Sequence, residues 1–371
     1  MNPNSKSTTV VHVAPFSGSG GIAYVSNLIS EYKGEQTFKW KEVDSNPSET
    51  LRHNTVFRVF GSLKIGAKIV TAVCCSIVNR RNTVVHIHSP SYSGFFEKLF
   101  FVLIAGMCGA SSVLHLHGGA FKQFYRESRQ STQDIIGRFL TLPDQLVVLS
   151  EQWKAFLCEQ VNPNLNGRIT VLPNAVRLPS RPLQGKQKTH SEDDTFRVVF
   201  LGRVSKEKGC GDLLRTSVAL RDDINVEFHV MGGGKNLEYY RKKSEDLKLS
   251  NIKFHGYTTG IKKINWLRKS DVFMLPSKVE NFPISMLEAM AFGLPVVVTD
   301  VGVVSEVITE RNGIIVSPDD PHGLAEALKY LYYHPERRME MAINNIQDVK
   351  AQYGAPTYMA KLEMLYSGLS S

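Results

Sequence analysis

Short stretches of β-branched residues alternate with segments of helical periodicity along this chain, and this alternation restricts its fold more than any other feature. Residues 8–13 are rich in Thr and Val and lead to a glycine turn, after which apolar residues recur at helical spacing. Residues 197–201, followed by Gly202, open the second half in the same way. Strands that alternate with helices form parallel sheets covered by helices. The sequence therefore predicts an α/β protein with two doubly wound, Rossmann-like domains.

Two domains also suit a length of 371 residues. Residues 178–195 contain two prolines, many polar residues and little to bury, as in an interdomain linker. We therefore expect an N-terminal domain (1–178), a linker (179–195), a C-terminal domain (196–350) and a final helix (351–371) that packs back on the first domain. Ligands of such sheets bind beyond the carboxyl ends of the strands, which predicts a cleft between two facing domains. Further strands are predicted at 83–88, 112–117, 145–149, 169–172, 225–231, 251–254, 272–275, 295–298 and 313–316, and a helix at 62–78.

Composition gives the broad class of protein. The chain is 42% hydrophobic and 21% charged, as soluble proteins are, and its longest uncharged apolar run, 99–108, is too short to span a bilayer. The first residues lack the apolar core of a secretory signal. Five cysteines form no CxxC pair, which suggests buried free thiols. These features predict a cytoplasmic protein.

The net charge of +9 is concentrated in the first half of the chain. Residues 1–177 carry 18 basic and 11 acidic residues, and seven of the basic ones lie within 51–100. Such a segment suits nucleic acid, anionic lipid or a phosphorylated ligand, and it equally suits a merely solvated face. An aromatic run at 95–103 lies in the same region; it could rest on an anionic leaflet or form a buried core helix.

The densest motif, residues 276–297, places two carboxylates around the start of a helix. Strand 272–275 runs into a loop that carries Glu280, and Pro283 begins a helix on which Glu288 lies roughly one and a half turns further in. The unpaired N–H groups of a first helical turn suit a phosphate, and a carboxylate just beyond can accept two hydrogen bonds from a ribose diol. Two isolated glutamates are more often surface charges than ligand contacts. A phosphate and ribose site therefore needs support from other motifs of the chain.

Two cations follow the first strand of the second half. Arg203 comes directly after Gly202, and Lys208 follows five residues later at the start of the next helix. Cations at a strand-to-helix turn can neutralise a departing diphosphate. Taken alone the spacing is a weak signal.

The first glycine turn suggests a rival ligand. Gly18, Gly20 and Ala23 fit the dinucleotide fingerprint G-x-G-x-x-A after a strand, with Glu42 and Asp44 at a tolerable distance for a ribose contact. This pattern indicates an NAD-linked oxidoreductase about as strongly as it indicates a tight turn without a ligand.

A pair of histidines marks the end of a strand in the first half. His115 and His117 share one face by the two-residue period of a strand, and Gly118 and Gly119 follow them. A metal site would need a third ligand, for which His86 or His88 is a speculative candidate. A core histidine or an active-site histidine is the more ordinary interpretation, and no metal is expected.

The motifs together show a family resemblance. In chain order they are Gly20-Gly21, His117-Gly118, Pro173-Asn174-Ala175, Gly202-Arg203 with Lys208-Gly209, Met231-Gly232-Gly233-Gly234, Glu280 with Glu288, and Asn312-Gly313. Their order and spacing resemble the retaining, GT-B-fold sugar-nucleotide glycosyltransferases of the glycosyltransferase family 4 (glycosyl transferases group 1) type. One departure is Ala175, which stands where the family often has Gly in a structural turn.

The resemblance implies roles for individual residues. Arg203 and Lys208 would hold the donor diphosphate, Glu288 would bind the nucleotide ribose and Glu280 would contact the donor sugar. His117 would lie beside the anomeric centre. Two further groups are implied to contact the donor, namely the main chain around Asn281, Phe282, Ile284 and Ser285, and the loop Gly20-Gly21 of the other domain.

The function implied is metal-independent transfer of a sugar, with retention of configuration, from a nucleoside diphosphate sugar to an acceptor hydroxyl. No cofactor is expected besides this donor substrate. A lipid-linked oligosaccharide at the inner membrane surface, in bacterial surface polysaccharide assembly, is the hypothesised acceptor, which would make the protein peripheral on the cytoplasmic face. The NAD-linked oxidoreductase and a nucleic-acid or membrane-surface binder are the alternatives, and nucleic acid is not the expected partner. The donor base and sugar are left open.

Overall fold

The computed structural model describes residues 8–18, 20–34, 38–46, 55–78, 82–180 and 195–370. They form two compact units: the first holds the described residues up to Asn174 and those from Ala355 onward, and the second holds those from Ala175 to Gly354. The first unit thus ends four residues before the expected boundary at 178. Residues 181–194, most of the predicted linker, lie outside the described residues.

The first unit is built on six strands. They are β1 (Thr8–Ala14), β2 (Phe38–Asp44), β3 (Thr83–Ser89), β4 (Ser111–Leu116), β5 (Gln145–Val148) and β6 (Ile169–Val171). All neighbouring strands pair in parallel, in the order β2-β1-β3-β4-β5-β6. Every residue of β1 and β3 is buried, as expected for a parallel sheet covered on both faces.

Helices occupy the connections of this sheet. They are α1 (Gly21–Tyr32), α2 (Thr55–Val78), α3 (Ser93–Met107), α4 (Phe121–Glu127), α5 (Gln130–Phe139) and α6 (Glu151–Phe156), followed by a π-helical turn at Leu157–Val161. Helix α2 begins seven residues before the predicted start at 62. The glycine turn after β1 leads directly into α1, as the sequence predicts.

The second unit repeats the design with another six strands. They are β7 (Phe196–Leu201), β8 (Val226–Met231), β9 (Ile252–Gly256), β10 (Val272–Leu275), β11 (Val296–Thr299) and β12 (Gly313–Val316). All pair in parallel, in the order β12-β11-β10-β7-β8-β9. The helices are α7 (Cys210–Leu220), α8 (Leu237–Asp246), α9 (Gly260–Lys269), α10 (Ile284–Ala291), α11 (Val304–Val307), α12 (Pro321–Tyr333) and α13 (Pro335–Asp348). Two parallel, doubly wound sheets confirm the predicted fold class.

The last helix, α14 (Ala355–Ser370), belongs to the first unit although the second unit precedes it in the chain. It packs against α1 and β3. The fully buried Tyr366 places its hydroxyl 2.5 Å from Nδ1 of His86, and the Asn82 amide donates to the Ser370 carbonyl at 2.5 Å. These hydrogen bonds fix α14 along the sheet of the first unit.

Two composition-based expectations are also decided by the structure. The prediction of buried thiols is wrong for Cys74 and Cys75, which are exposed on α2, and holds for Cys210. Cys108 and Cys158 are only partly buried. Among the helices of the described residues, none is both long and apolar enough to cross a membrane.

Candidate functional site

The order of the second sheet places β7 beside β10 at its centre, where the direction of strand succession changes. The connections leaving two such strands run to opposite faces of the sheet, which opens a crevice at their carboxyl ends. The chain from Gly202 to Lys208 follows β7, and the loop that carries Glu280 follows β10. The fold therefore brings the two sequence motifs to one edge.

Lys208 and Glu280 meet directly at this edge. The Lys208 Nζ lies 2.5 Å from Oε1 of Glu280, and the Ser277 hydroxyl donates to the same oxygen at 2.8 Å. The Glu280 side chain is 7% exposed and that of Lys208 is 28% exposed. The carboxylate is thus held from within the protein, while the ammonium remains accessible to a ligand.

Two left-handed glycines allow the loops of this site to approach so closely. Gly209 has φ +68°, and a methyl group there would overlap the carbonyl oxygen of Pro276. Gly302 has φ +64°, and a methyl group there would lie 2.5 Å from the carbonyl oxygen of Glu280. Only glycine satisfies both the backbone angle and the space at these positions.

Helix α10 starts beside this loop. Pro283 precedes it, and no side chain of the described residues caps its N-terminus, so the first-turn N–H groups of Ile284 and Ser285 have no partner within the helix. Glu288 follows one turn later on the same helix and is partly buried. The N-terminus of α10 has the geometry that favours an anionic ligand.

A lysine absent from the sequence prediction pairs with Glu288. The Lys263 Nζ, from the first turn of α9, lies 2.6 Å from Oε1 of Glu288. Each predicted donor-site glutamate is therefore paired with a lysine. No motif identifies Lys263, because it lies among the other lysines and arginines of a polar helix.

Arg203 differs from these paired groups. Arg203 is exposed, and its guanidinium forms no hydrogen bond or ion pair with the described part of the chain. The glycine run after β8 packs against it: Val204 donates to the Gly233 carbonyl at 2.9 Å, and a Cβ on Gly234 would lie 3.1 Å from the Arg203 Cγ. The turn is fixed while the charge stays accessible.

Asn281 and Phe282 contribute in different ways. The Asn281 carbonyl accepts a hydrogen bond from the Val303 N–H at 3.2 Å, and the Phe282 ring is buried against Tyr353. The structure uses the Phe282 side chain for packing, which leaves its main chain as the part that can contact a ligand.

The candidate residues of the first unit lie at the carboxyl ends of its strands. Gly20 precedes α1 and Gly21 is its first residue; a Cβ on Gly20 would meet no atom within 4 Å among the described residues. His117 follows β4 and is largely buried. The space beside Gly118 is filled by Ser91 of the adjacent loop.

His117 is one of five contiguous histidines, which we call the histidine ladder: His12, His86, His88, His115 and His117, on or just after β1, β3 and β4. Nitrogen–nitrogen contacts join His12 Nε2 to His88 Nε2 (2.9 Å), His88 Nδ1 to His117 Nε2 (2.8 Å) and His86 Nε2 to His115 Nδ1 (3.3 Å). The rings of His115 and His117 stack with centroids 3.9 Å apart, in keeping with their common face.

The ladder is neutral because it is buried. Burial lowers the pKa of His12 and of His117 to about 3, and it holds the pKa of the other three well below the ordinary value. Ligand atoms of His86, His88 and His115 lie within 4.8 Å of one another, so these three could reach a common metal ion. In the structure, nitrogens of all three are engaged in hydrogen bonds within the ladder or to Tyr366.

Glu42 and Asp44, the carboxylates predicted to contact the ribose of a dinucleotide, form hydrogen bonds within the first unit. Oε1 of Glu42 accepts from Ser30 at 2.6 Å and from Lys33 at 2.5 Å. Oδ1 of Asp44 accepts from the backbone of Asn46 at 2.9 Å. Glu42 thus ties β2 to the C-terminal end of α1, and Asp44 holds the turn that follows β2.

Two doubly wound parallel sheets, the second with paired charges and an uncapped helix at its switch point, define a protein of the GT-B fold. A solved structure with this fold, Anabaena Alr3699/HepE in complex with UDP, matches with a TM-score of 0.72 at 15% identity, over 97% of this chain and all of that one. Residues 184–348, less than half of the chain, match the family described as glycosyl transferases group 1.

Two curated relatives match the chain over shorter stretches. The D-inositol 3-phosphate glycosyltransferase of Paenarthrobacter aurescens (strain TC1) is 33% identical over 47% of this chain and 43% of its own length. The lipopolysaccharide core biosynthesis mannosyltransferase LpsB of Rhizobium meliloti (strain 1021) is 34% identical over 35% of this chain and 39% of its own length. The chain thus spans less than half the length of these two relatives.

Proposed function

We propose that the protein is a retaining glycosyltransferase that moves a sugar from a nucleoside diphosphate sugar to an acceptor hydroxyl. The observation that carries this proposal is the ion pair of Lys208 with Glu280 at the β7/β10 switch point, followed along the chain by the start of α10, the helix that carries Glu288. Arg203 on the same edge adds an exposed cation. The family match of this half of the chain supports the same conclusion.

The site meets the main electrostatic demand of the reaction. When the bond from the anomeric carbon to the diphosphate breaks, the electron pair leaves with the diphosphate, while the acceptor oxygen forms the new bond and its proton passes to the departing diphosphate. Arg203, Lys208 and the N–H groups of α10 supply fixed positive charge where this negative charge develops. We propose that Glu280 accepts hydrogen bonds from hydroxyls of the donor sugar and that Glu288 accepts them from the ribose. The positive charge is provided by protein groups, so we propose no metal requirement.

Ligand-induced thermal stabilisation tests the donor assignment. We expect a UDP-sugar or GDP-mannose, present at a hundred times its Kd, to stabilise the second unit by about 2.7 kcal/mol, or roughly 5–10 °C. Lys208→Ala should lose this shift and the release of nucleoside diphosphate, because the variant lacks the partly exposed ammonium that lies against Glu280. Lys206→Ala is the matched control, since Lys206 is exposed on the same turn. Unchanged turnover in Lys208→Ala refutes the proposal, and stabilisation by NAD alone would favour the oxidoreductase.

We further propose that the acceptor is lipid-linked and belongs to surface polysaccharide assembly. The lipopolysaccharide name of one relative supports this pathway. The structure adds a surface on α3 that suits a membrane, formed by Phe96, Phe100, Leu103 and Met107, which are 37%, 37%, 41% and 87% exposed. Neighbouring α2 contributes the exposed Lys64 and Lys68. Exposed apolar groups beside lysines bind anionic bilayers.

The same helix corrects part of the membrane hypothesis. Phe95, Leu99, Phe101 and Val102 are buried, so only one face of the aromatic run can touch lipid. Lys98 is also buried, 3.3 Å from Glu97, and is therefore removed from the proposed basic surface. Three other basic residues of the segment 51–100, Arg52, Arg80 and Arg81, lie outside the described residues.

Vesicle co-sedimentation tests the membrane contact. We expect binding to vesicles with anionic lipid at low salt and a several-fold loss on Met107→Ser with Leu103→Ser. Met364→Ser is the control, because Met364 is 75% exposed on α14. Absence of binding at low salt would remove the membrane proposal and leave the donor proposal standing.

A further inference from the structure

A cavity of about 340 Å³ lies in the first unit, beyond the carboxyl ends of β1 and β3. Its wall includes Pro90 after β3, Ser62 and Ile65 of α2, and Glu97 and Lys98 of α3. This volume lies at the lower end of the range found for small-molecule sites. The cavity therefore has room for a small ligand.

The wall carries a buried lysine with unused hydrogen-bond donors. The Lys98 side chain is 5% exposed, and Oε2 of Glu97, 3.3 Å from its Nζ, is its one hydrogen-bond acceptor among the described residues. The Phe101 ring lies against the ammonium, with its centroid 4.9 Å from Nζ. Burial lowers the pKa of Lys98 although Glu97 raises it. Because an ammonium has three N–H donors, an oxygen in the cavity can accept from one of those left over.

Glu97 brings the opposite charge to the same wall. Its Oε1 accepts from the Ser62 hydroxyl at 2.6 Å, and its side chain is 25% exposed. A carboxylate has more acceptor sites than these two contacts use, so Glu97 can also accept from a ligand. An anionic ligand would gain the ammonium but would lie against this carboxylate. Two neighbouring hydroxyls fit both groups, because one oxygen accepts from Lys98 while the other hydroxyl donates to Glu97.

Apolar side chains complete the wall. They include Ile22 and Ile65, together with the ring of Pro90. A wall of apolar groups with a few polar ones is typical of small-molecule sites. The C–H faces of a sugar ring can pack on the apolar part while its hydroxyls meet Lys98 and Glu97. The cavity thus suits an uncharged sugar better than a phosphate or a sugar acid.

The cavity also connects two features of the proposed transferase. His88 lines it, and Nδ1 of His88 lies 2.8 Å from Nε2 of His117, which the family resemblance places beside the anomeric centre. Helices α2 and α3, which supply the polar wall, also carry the proposed membrane surface. A sugar bound here would lie between the lipid end of an acceptor and the reacting centre.

We propose that this cavity binds an uncharged sugar residue of the acceptor and that Lys98 and Glu97 determine this specificity. Sugar binding is a property of the first unit by itself. Its role in recognising the acceptor rests on the proposed function.

Titration of methyl glycosides, followed by saturation-transfer NMR on the full chain, tests the site. The uncharged probes are the methyl glycosides of glucose, galactose, mannose and N-acetylglucosamine, and the anionic probes are methyl glucuronide and glycerol phosphate. We expect at least one uncharged glycoside to bind. Lys98→Met should raise its Kd about tenfold, since a hydrogen bond to a charged group is lost. Lys39→Met is the control, because Lys39 is exposed on β2.

A second variant fills the cavity without removing any polar group. Gly61 lines the cavity on α2, and a Cβ there would meet no atom within 4 Å among the described residues, so Gly61→Leu should fold and weaken glycoside binding severalfold. Gly106→Leu is its matched control, because Gly106 on α3 has the same open space and lies outside the cavity.

Three results would overturn the inference: no glycoside of the panel binds, binding is equal in wild type and Gly61→Leu, or the anionic probes bind this cavity more tightly than every uncharged one. Any of them, in a protein that is stabilised by a nucleotide sugar and releases nucleoside diphosphate, would leave the proposed function intact. Glycoside binding that is lost in Gly61→Leu, in a protein that no nucleotide sugar stabilises, would instead refute the proposed function and keep the sugar site.

Discussion

Acidification from pH 7 to pH 5 is expected to destabilise the first unit, because its histidine ladder is buried in the neutral form. Burial lowers the pKa of His12 and His117 from 6.5 to about 3. Between these pH values the unfolded chain binds more protons than the native chain, so the free energy of unfolding falls as the pH falls. The stabilisation is complete above pH 6.5 and is lost towards pH 3.

The size of the effect follows from these pKa values. Each such histidine lowers the free energy of unfolding by about 2 kcal/mol between pH 7 and pH 5, so His12 and His117 together account for about 4 kcal/mol. For a unit of this size, the melting temperature should fall by roughly 8–16 °C. His86, His88 and His115 have their pKa values lowered by the same burial and add to the effect in the same direction.

Urea unfolding at several pH values measures this dependence. In a Trp266→Phe variant, Trp40 and Trp153 report on the first unit. His12→Phe should reduce the slope near pH 5 by about 1.3 kcal/mol per pH unit, since one proton fewer is taken up on unfolding. His322→Phe is the control, because His322 is exposed. A wild-type stability that is constant or rises on acidification would refute the reasoning.

Three further outcomes are expected. Gly209→Ala should destabilise the second unit by at least about 2 kcal/mol in urea unfolding, because φ is +68° there, whereas Gly211→Ala, in a helix with open space, should not; equal effects would contradict the geometry. Lys263→Met should raise the Kd for the donor nucleotide severalfold in calorimetry by releasing Glu288, and an unchanged Kd would show that the ion pair does not position the carboxylate. A thiol reagent should label the exposed cysteines of α2 in the native protein and Cys210 only in urea, because burial raises the pKa of Cys210 to about 11; rapid native labelling of Cys210 would contradict this.

The strands of both sheets were predicted to within about two residues, with one exception. Strands buried on both faces are continuous apolar runs, so they are visible in the sequence. Strand β2 (Phe38–Asp44) was missed because it lies at the edge of its sheet, where exposed Lys39 and Asp44 interrupt the apolar pattern. Glu42 and Asp44 of this strand were instead interpreted as ribose ligands.

The aromatic run of α3 shows a limit of periodicity. The helix is apolar nearly all round, so the sequence contains no polar face that says which side is buried. Packing decides it: Phe95 and Phe101 are buried, and Phe96 and Phe100 are each 37% exposed.

The sequence by itself determined where most strands and helices lie along the chain, the two-unit division and the residue types at each strand end, because these depend on local periodicity and turn chemistry. Only the tertiary structure decided which of these groups meet. Lys208 contacts Glu280 across 72 residues, and His12 contacts His88 across 76. Strand order is set by the burial of helices and strands against one another over the whole unit, and no local pattern encodes it. The pairing of Lys263 with Glu288 and the neutral histidine ladder both follow from that order.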